Sequence, residues 1–95
     1  HRNTAYFVGR MKAAGFDIKP TESAICAVML YDAKVAQEMA TRLLDEGIYV
    51  IGFYYPVVPK EQARIRVQIS AAHETAHLDA CIKAFTQVAK QMNIL

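Results

Sequence analysis

The stretch Arg64-Ile65-Arg66-Val67-Gln68-Ile69-Ser70 alternates polar and β-branched residues without a break. Successive side chains on a strand point to opposite faces, so this segment reads as a strand with Ile65, Val67 and Ile69 facing a core. Arg64, Arg66, Gln68 and Ser70 then share the other face. The residues just upstream fix how the strand can pair. In Tyr55-Pro56-Val57-Val58-Pro59 the two prolines hold the chain extended and remove ladder donors, which predicts a stiff loop. The loop is too short for a parallel crossover, so the strand before it, predicted from Ile48 to Ile51 and on through Gly52 toward Tyr54, must pair antiparallel with the arginine strand.

The remaining elements follow from periodicity and end signals. Phe7, Met11 and Ala14 share one face of a helix predicted over about Thr4 to Ala14, with Gly15 suited to its stop. Ile25 to Leu30 is a short apolar run after Pro20 and Ser23, the pattern of a buried strand. Asp32 is a good N-cap for a helix that repeats Val35, Met39 and Leu43 with Ala36, Ala40 and Leu44 alongside, and Gly47 ends it. A last helix runs from about Glu74 to Met92, with Leu78, Cys81, Ile82, Phe85, Val88, Ala89 and Met92 on one stripe. The expected fold is α+β. It has a small antiparallel sheet of about three strands with helices packed on one face, in a single domain spanning residues 1–95.

Composition narrows the function. The net charge is +2, with no run of Lys and Arg of the kind that tracks a phosphate backbone, so nucleic acid is not an expected partner. The longest apolar segment, Ile48 to Val58, is interrupted by Gly52 and Pro56 and falls short of the ~20 residues of a membrane span. Cys26 and Cys81 are too few and too far apart for a disulfide framework or a metal knuckle, and are expected as reduced core residues. The chain starts at His1 without an initiator Met, which fits a piece of a longer polypeptide.

Two groups of residues carry chemistry. A guanidinium is a planar fork that donates paired hydrogen bonds to a carboxylate or phosphate, and a strand is a rigid mount for it. On spacing alone, a solvated or locally paired strand arginine is the leading reading of Arg64 and Arg66, with a ligand role behind it. His73-Glu74-Thr75-Ala76-His77 spells the His-Glu-x-x-His pattern of zinc peptidases, in which two histidines four apart grip a metal and the Glu activates its water. No further His or Glu follows His77, and Asp79 is too close to fold back as a third ligand, so no metal site is expected.

The order Gly47-Ile48, Tyr55-Pro56-x-Val58-Pro59, Arg64-x-Arg66 and Ala72-His73 resembles the C-terminal small domain of the α-oxoamine synthases, pyridoxal-phosphate enzymes that acylate an amino acid with an acyl-CoA. The resemblance runs from about Asn3 to the end and is strongest from Gly47 to His73. Pro-Val-Val-Pro-Lys leading into Ala-Arg-Ile-Arg-x-Gln-x-Ser-Ala is most similar to the branch that condenses glycine with acetyl-CoA in threonine degradation. The resemblance implies that Arg66 binds the substrate carboxylate and that Arg64 is structural. It also implies that Tyr55, Pro56, Val58 and Pro59 border the substrate end of the site. Pyridoxal 5'-phosphate would be held by an upstream large domain of the same chain, since Lys34, Lys60 and Lys90 match no cofactor-lysine motif. A homodimer is implied at full length, in the cytoplasm or, alternatively, the mitochondrial matrix, and the isolated piece would be inactive. Departures from the family pattern fall at Ser23-Ala24-Ile25-Cys26-Ala27, at Tyr31, where a Gly often precedes Asp32, and at Glu61, which replaces a small residue. The alternatives are a stand-alone α+β binding or dimerising module and, behind it, a zinc hydrolase built on His73-Glu74-x-x-His77.

Overall fold

In a computed structural model describing residues 2–22, 24–48, 50–69 and 73–95, the elements follow one another as α1 (Arg2–Ala14), β1 (Ile18–Glu22), β2 (Ile25–Tyr31), α2 (Ala33–Asp45), β3 (Ile51–Phe53), β4 (Ala63–Gln68) and α3 (Thr75–Gln91). The strands form one sheet in the order β1-β2-β4-β3, and every neighbouring pair is antiparallel. The α+β class and the antiparallel pairing of β3 with β4 are as expected, but the sheet has four strands where about three were expected. The additional strand, β1, was hidden by Pro20. A proline interrupts a central strand but is tolerated at an edge, and β1 is an edge strand whose Pro20 stands opposite Cys26 in β2.

The strand expected from Ile48 begins only at Ile51. The N–H of Ile48 donates to the Leu43 carbonyl at 2.8 Å, and that of Gly47 to the Leu44 carbonyl at 2.9 Å. These two bonds are a Schellman stop, with Gly47 in the left-handed region at φ +83. Ile48 is thus committed to closing α2, while Tyr49 lies outside the described residues. The other two helices end in the same way. Phe16 and Gly15 donate to Met11 and Lys12 at 3.1 and 3.0 Å, and Ile94 and Asn93 donate to Ala89 and Lys90 at 2.8 and 3.1 Å. At its start α2 is capped as predicted: Asp32 Oδ1 accepts from the N–H groups of Lys34 and Val35 at 2.8 and 3.2 Å.

The helices cover one face of the sheet. Ile18, Cys26, Val28, Ile65, Val67 and Ile69 point inward and join Phe7, Met11, Met39, Leu43, Leu78, Ile82, Phe85 and Val88 in one buried cluster. Phe85 of α3 is fully buried and meets Phe7 and Phe16 edge-on, with ring centroids 6.4 and 5.9 Å away. Through that ring α3 is locked to α1 and to the chain just beyond it. Two predicted stripe residues of α2 fall outside the core: Val35 is half-buried and Leu44 is 59% exposed, because the face of α2 that is buried runs through Ala36, Met39 and Leu43. Phe85→Ala removes the ring on which two others pack and should lower stability by ~3–5 kcal/mol, read as a lower urea midpoint with an unchanged slope, whereas Leu44→Ala should stay within ~0.5 kcal/mol of the parent.

Candidate functional site

The face of the sheet away from the helices is where the two arginines stand. Residues paired across antiparallel strands share a face, so the register places Lys19, Ala27, Arg66 and Ile51 in one row across all four strands, and Met29, Arg64 and Phe53 in the next. Gln68 is on this face as expected, opposite Ile25. Ser70, expected there too, lies outside the described residues. So do Ala72 of the Ala72-His73 motif and Ser23 of the first departure.

The structure makes the two arginines inequivalent. Arg64 is turned back along its own strand, with Nε donating to the Gln62 carbonyl at 3.1 Å and Nη2 to Gln62 Oε1 at 3.4 Å. Arg66 is exposed, and its guanidinium carbon stands 5.3 Å from the centroid of the Phe53 ring. Among the described residues no carboxylate or carbonyl accepts a hydrogen bond from it. An arginine on a strand paired on both sides, with its donors unspent, is suited to a planar anion such as a carboxylate. Phe53 was not singled out from sequence, because a partner on another strand is visible only once the register is known.

The proline loop lies at the end of the sheet where β4 begins. Its Tyr55–Pro56 peptide is cis, and the N–H of Val57 donates to the Tyr54 carbonyl at 2.9 Å. Tyr55, Pro56, Val57 and Pro59 are exposed, Val58 is half-buried, and Lys60 Nζ lies 5.1 Å from the Tyr55 ring centroid. Tyr31, Asp32, Tyr54, Tyr55, Pro59 and Glu61 are among the residues lining a groove of about 510 Å³ beside this loop. Arg66 is not among the residues lining that groove. Two of the departures have a backbone consequence here: Tyr31 and Glu61 adopt φ of +69 and +65, a region that favours glycine. Tyr31 is also held by its hydroxyl, which donates to Asp17 Oδ2.

The His-Glu-x-x-His pattern is used as a helix start. Glu74 is the N-cap of α3 and its N–H donates to His77 Nδ1 at 3.2 Å. His73 stands before the helix, and its carbonyl accepts from Asn3 Nδ2 at 2.9 Å. The two rings lie 6.3 Å apart between centroids, but His73 precedes the helix and His77 Nδ1 is taken by the Glu74 N–H, so the pair is not the helical two-histidine turn of the zinc peptidases. A polar group that sequence reasoning missed stands nearby. Tyr6 donates to Asp79 Oδ1 at 2.5 Å and accepts from Arg10 Nη1 at 2.9 Å, tying α1 to α3 across 73 residues of chain. The Asp79 carboxylate, as hydrogen-bond acceptor, raises the Tyr6 hydroxyl above its ordinary range. Its residues are too far apart in sequence to give a local signal.

Both cysteines are free, Cys26 buried and Cys81 half-buried in a groove of about 490 Å³ lined also by His73, His77 and Ile69. Burial pushes the Cys81 thiol up to about 11 and the Cys26 thiol upward as well. A raised thiol loses its proton later, so at about pH 8 roughly one Cys81 in a thousand is thiolate. A disulfide reagent at that pH should label the native protein far more slowly than the urea-unfolded chain, and labelling should accelerate as pH rises toward 11. Glu61→Gly should relieve the left-handed backbone and raise the unfolding free energy by roughly 0.5–1 kcal/mol, measured by urea denaturation.

Residues 1–85 match the family described as aminotransferase class I and II. The 2-amino-3-ketobutyrate coenzyme A ligase of Escherichia coli strain K12 is 50% identical over 93 residues, covering 98% of this chain and 23% of that protein. The mitochondrial 2-amino-3-ketobutyrate coenzyme A ligase of Homo sapiens is 53% identical over 87 residues, covering 92% of this chain and 21% of that protein. Among solved structures, serine palmitoyltransferase of S. paucimobilis with a bound PLP-myriocin aldimine superposes with a TM-score of 0.88 at 31% identity, over 99% of this chain and 24% of that one. The chain therefore spans less than a quarter of the length of these relatives.

Proposed function

This chain belongs to the aminotransferase class I and II family, and from that premise we propose that it is the C-terminal small domain of a pyridoxal-phosphate acyltransferase that condenses glycine with acetyl-CoA to 2-amino-3-ketobutyrate. The observation that carries the reading is Arg66, an exposed guanidinium with unspent donors on a strand paired on both sides. Glycine has no side chain to grip. A fork on its carboxylate fixes the one end that does not react and so sets which bond at Cα is presented for cleavage. Arg64, spent on Gln62, is assigned a structural role. Tyr55, Pro56, Val58 and Pro59 are assigned to the border of the substrate end, on a stiff loop beside the same sheet.

All six lysines are exposed in the described structure. In this reading pyridoxal phosphate, which acts as the electron sink for carbanion chemistry at the amino-acid Cα, is held by a larger upstream domain, and this domain contributes the substrate clamp. The names and lengths of the relatives support that division. Threonine breakdown as the setting and a homodimer at full length belong to the same proposal. So does a cytoplasmic location, with the mitochondrial matrix as the alternative. Among the described residues no helix is long and apolar enough to cross a membrane.

Charge-assisted bonds contribute about 1.5–3 kcal/mol each. In the full-length enzyme Arg66→Ala should therefore raise the KM for glycine by about a hundredfold while the visible absorbance of the bound cofactor is retained, and Arg64→Ala should leave glycine kinetics close to those of the parent. Unchanged glycine kinetics in Arg66→Ala would refute the assignment.

A further inference from the structure

We propose that Phe53 is a positioning residue for the substrate carboxylate, acting through Arg66. The inference rests on the reading of Arg66 as the carboxylate ligand and adds to it what holds that ligand in place.

The register explains the contact. Phe53 is directly opposite Arg64, and Ile51 is directly opposite Arg66, so Phe53 is the diagonal neighbour of Arg66, within reach of a long side chain leaning along the strand. The Arg66 guanidinium carbon stands over the Phe53 ring, 5.3 Å from its centroid. An aromatic face attracts the cation and offers no hydrogen-bond acceptor, so the fork is steadied without losing any of its five N–H donors. Gln62 does the opposite for Arg64, whose Nε and Nη2 it occupies. The two partners, one aromatic and one amide, leave Arg66 with all five donors available and Arg64 with its Nε–Nη2 edge engaged. Ala27 and Ile51 flank Arg66 in its row and bring no charge of their own. The charged residues at register positions in its own row and in the rows on either side are Lys19, Arg64 and Glu22. Lys19 and Arg64 offer no acceptor, and Glu22 stands on β1, two strands away from Arg66.

Phe53 is half-buried and outside the core cluster, so its ring can be changed without opening the hydrophobic core. In the full-length enzyme, Phe53→Leu should raise the KM for glycine by about two- to fivefold, the size of an exposed cation–π contact, with kcat per bound cofactor little changed. The dissociation constant for glycine, read from the absorbance change of the bound cofactor, should rise by the same factor. Phe53→Tyr keeps the aromatic face and should restore parent values. In an Arg66→Ala background, Phe53→Leu should add nothing further, because the group it positions is gone. If Arg66→Ala raises the KM but Phe53→Leu leaves both KM and the dissociation constant unchanged, the positioning role is overturned and the assignment of Arg66 stands. An equal further loss in the Arg66→Ala background would likewise make Phe53 merely structural. If Arg66→Ala itself has no effect, both the inference and the reading beneath it are overturned.

Discussion

The register of β4 is the constraint on which the rest of this structure depends. Its period-two alternation sends Ile65, Val67 and Ile69 into the core and Arg64, Arg66 and Gln68 to the opposite face, and antiparallel pairing with β2 and β3 holds it from both sides. A slip of one residue would bury two guanidiniums and expose the branched side chains against which the helices pack, so the two faces enforce each other. The core residues thereby decide where the arginines point. That is why a side chain on the open face of so small a unit can have a rigid mount: the backbone under Arg66 is held by the burial of its neighbours in sequence.

The same face shows how a fold makes two like residues unlike. Arg64 and Arg66 are indistinguishable by spacing, and both stand beside β3. They are separated by what the adjacent positions supply: Gln62 offers two oxygens to Arg64, and Phe53 offers a ring to Arg66. A charged group that finds acceptors within its own chain is satisfied, and one that finds an aromatic face remains competent to bind. The difference lies in the partner's chemistry, with exposure following from it.

How much of this was legible in the sequence depends on how local each determinant is. The alternation of residues 64–69, the Asp32 cap, the Gly15 and Gly47 stops and the stripe of α3 each depend on a few adjacent residues, and all were read correctly. Local reading failed where a longer-range fact decides. Pro20 could be placed in a strand only by knowing that the strand lies at an edge. Ile48 reads locally as the start of β3, but its hydrogen bond back to Leu43 commits it to the end of α2. Leu44 extends a valid apolar stripe beyond the part that another element covers. The Tyr6–Asp79 bond and the Phe53–Arg66 contact join residues whose proximity exists only after the sheet and helices assemble. The departures at Tyr31 and Glu61 were noticed as unusual residue types, but the reason they matter, a positive φ at both, belongs to the backbone.

The three helix ends bear on how information is distributed along the chain. Each closes with the same pair of bonds, and each seats the residue just past the turn, Phe16, Ile48 or Ile94, in or against the hydrophobic cluster. The direction in which the chain leaves a helix is therefore written within about six residues of its end and does not wait for the sheet to form. β1 and the approach to β3 begin from headings already set, so the sheet has only to choose partners among segments that arrive oriented. A unit built this way tolerates changes of length in the connections beyond those stops, because the geometry that matters has been fixed before the connection begins.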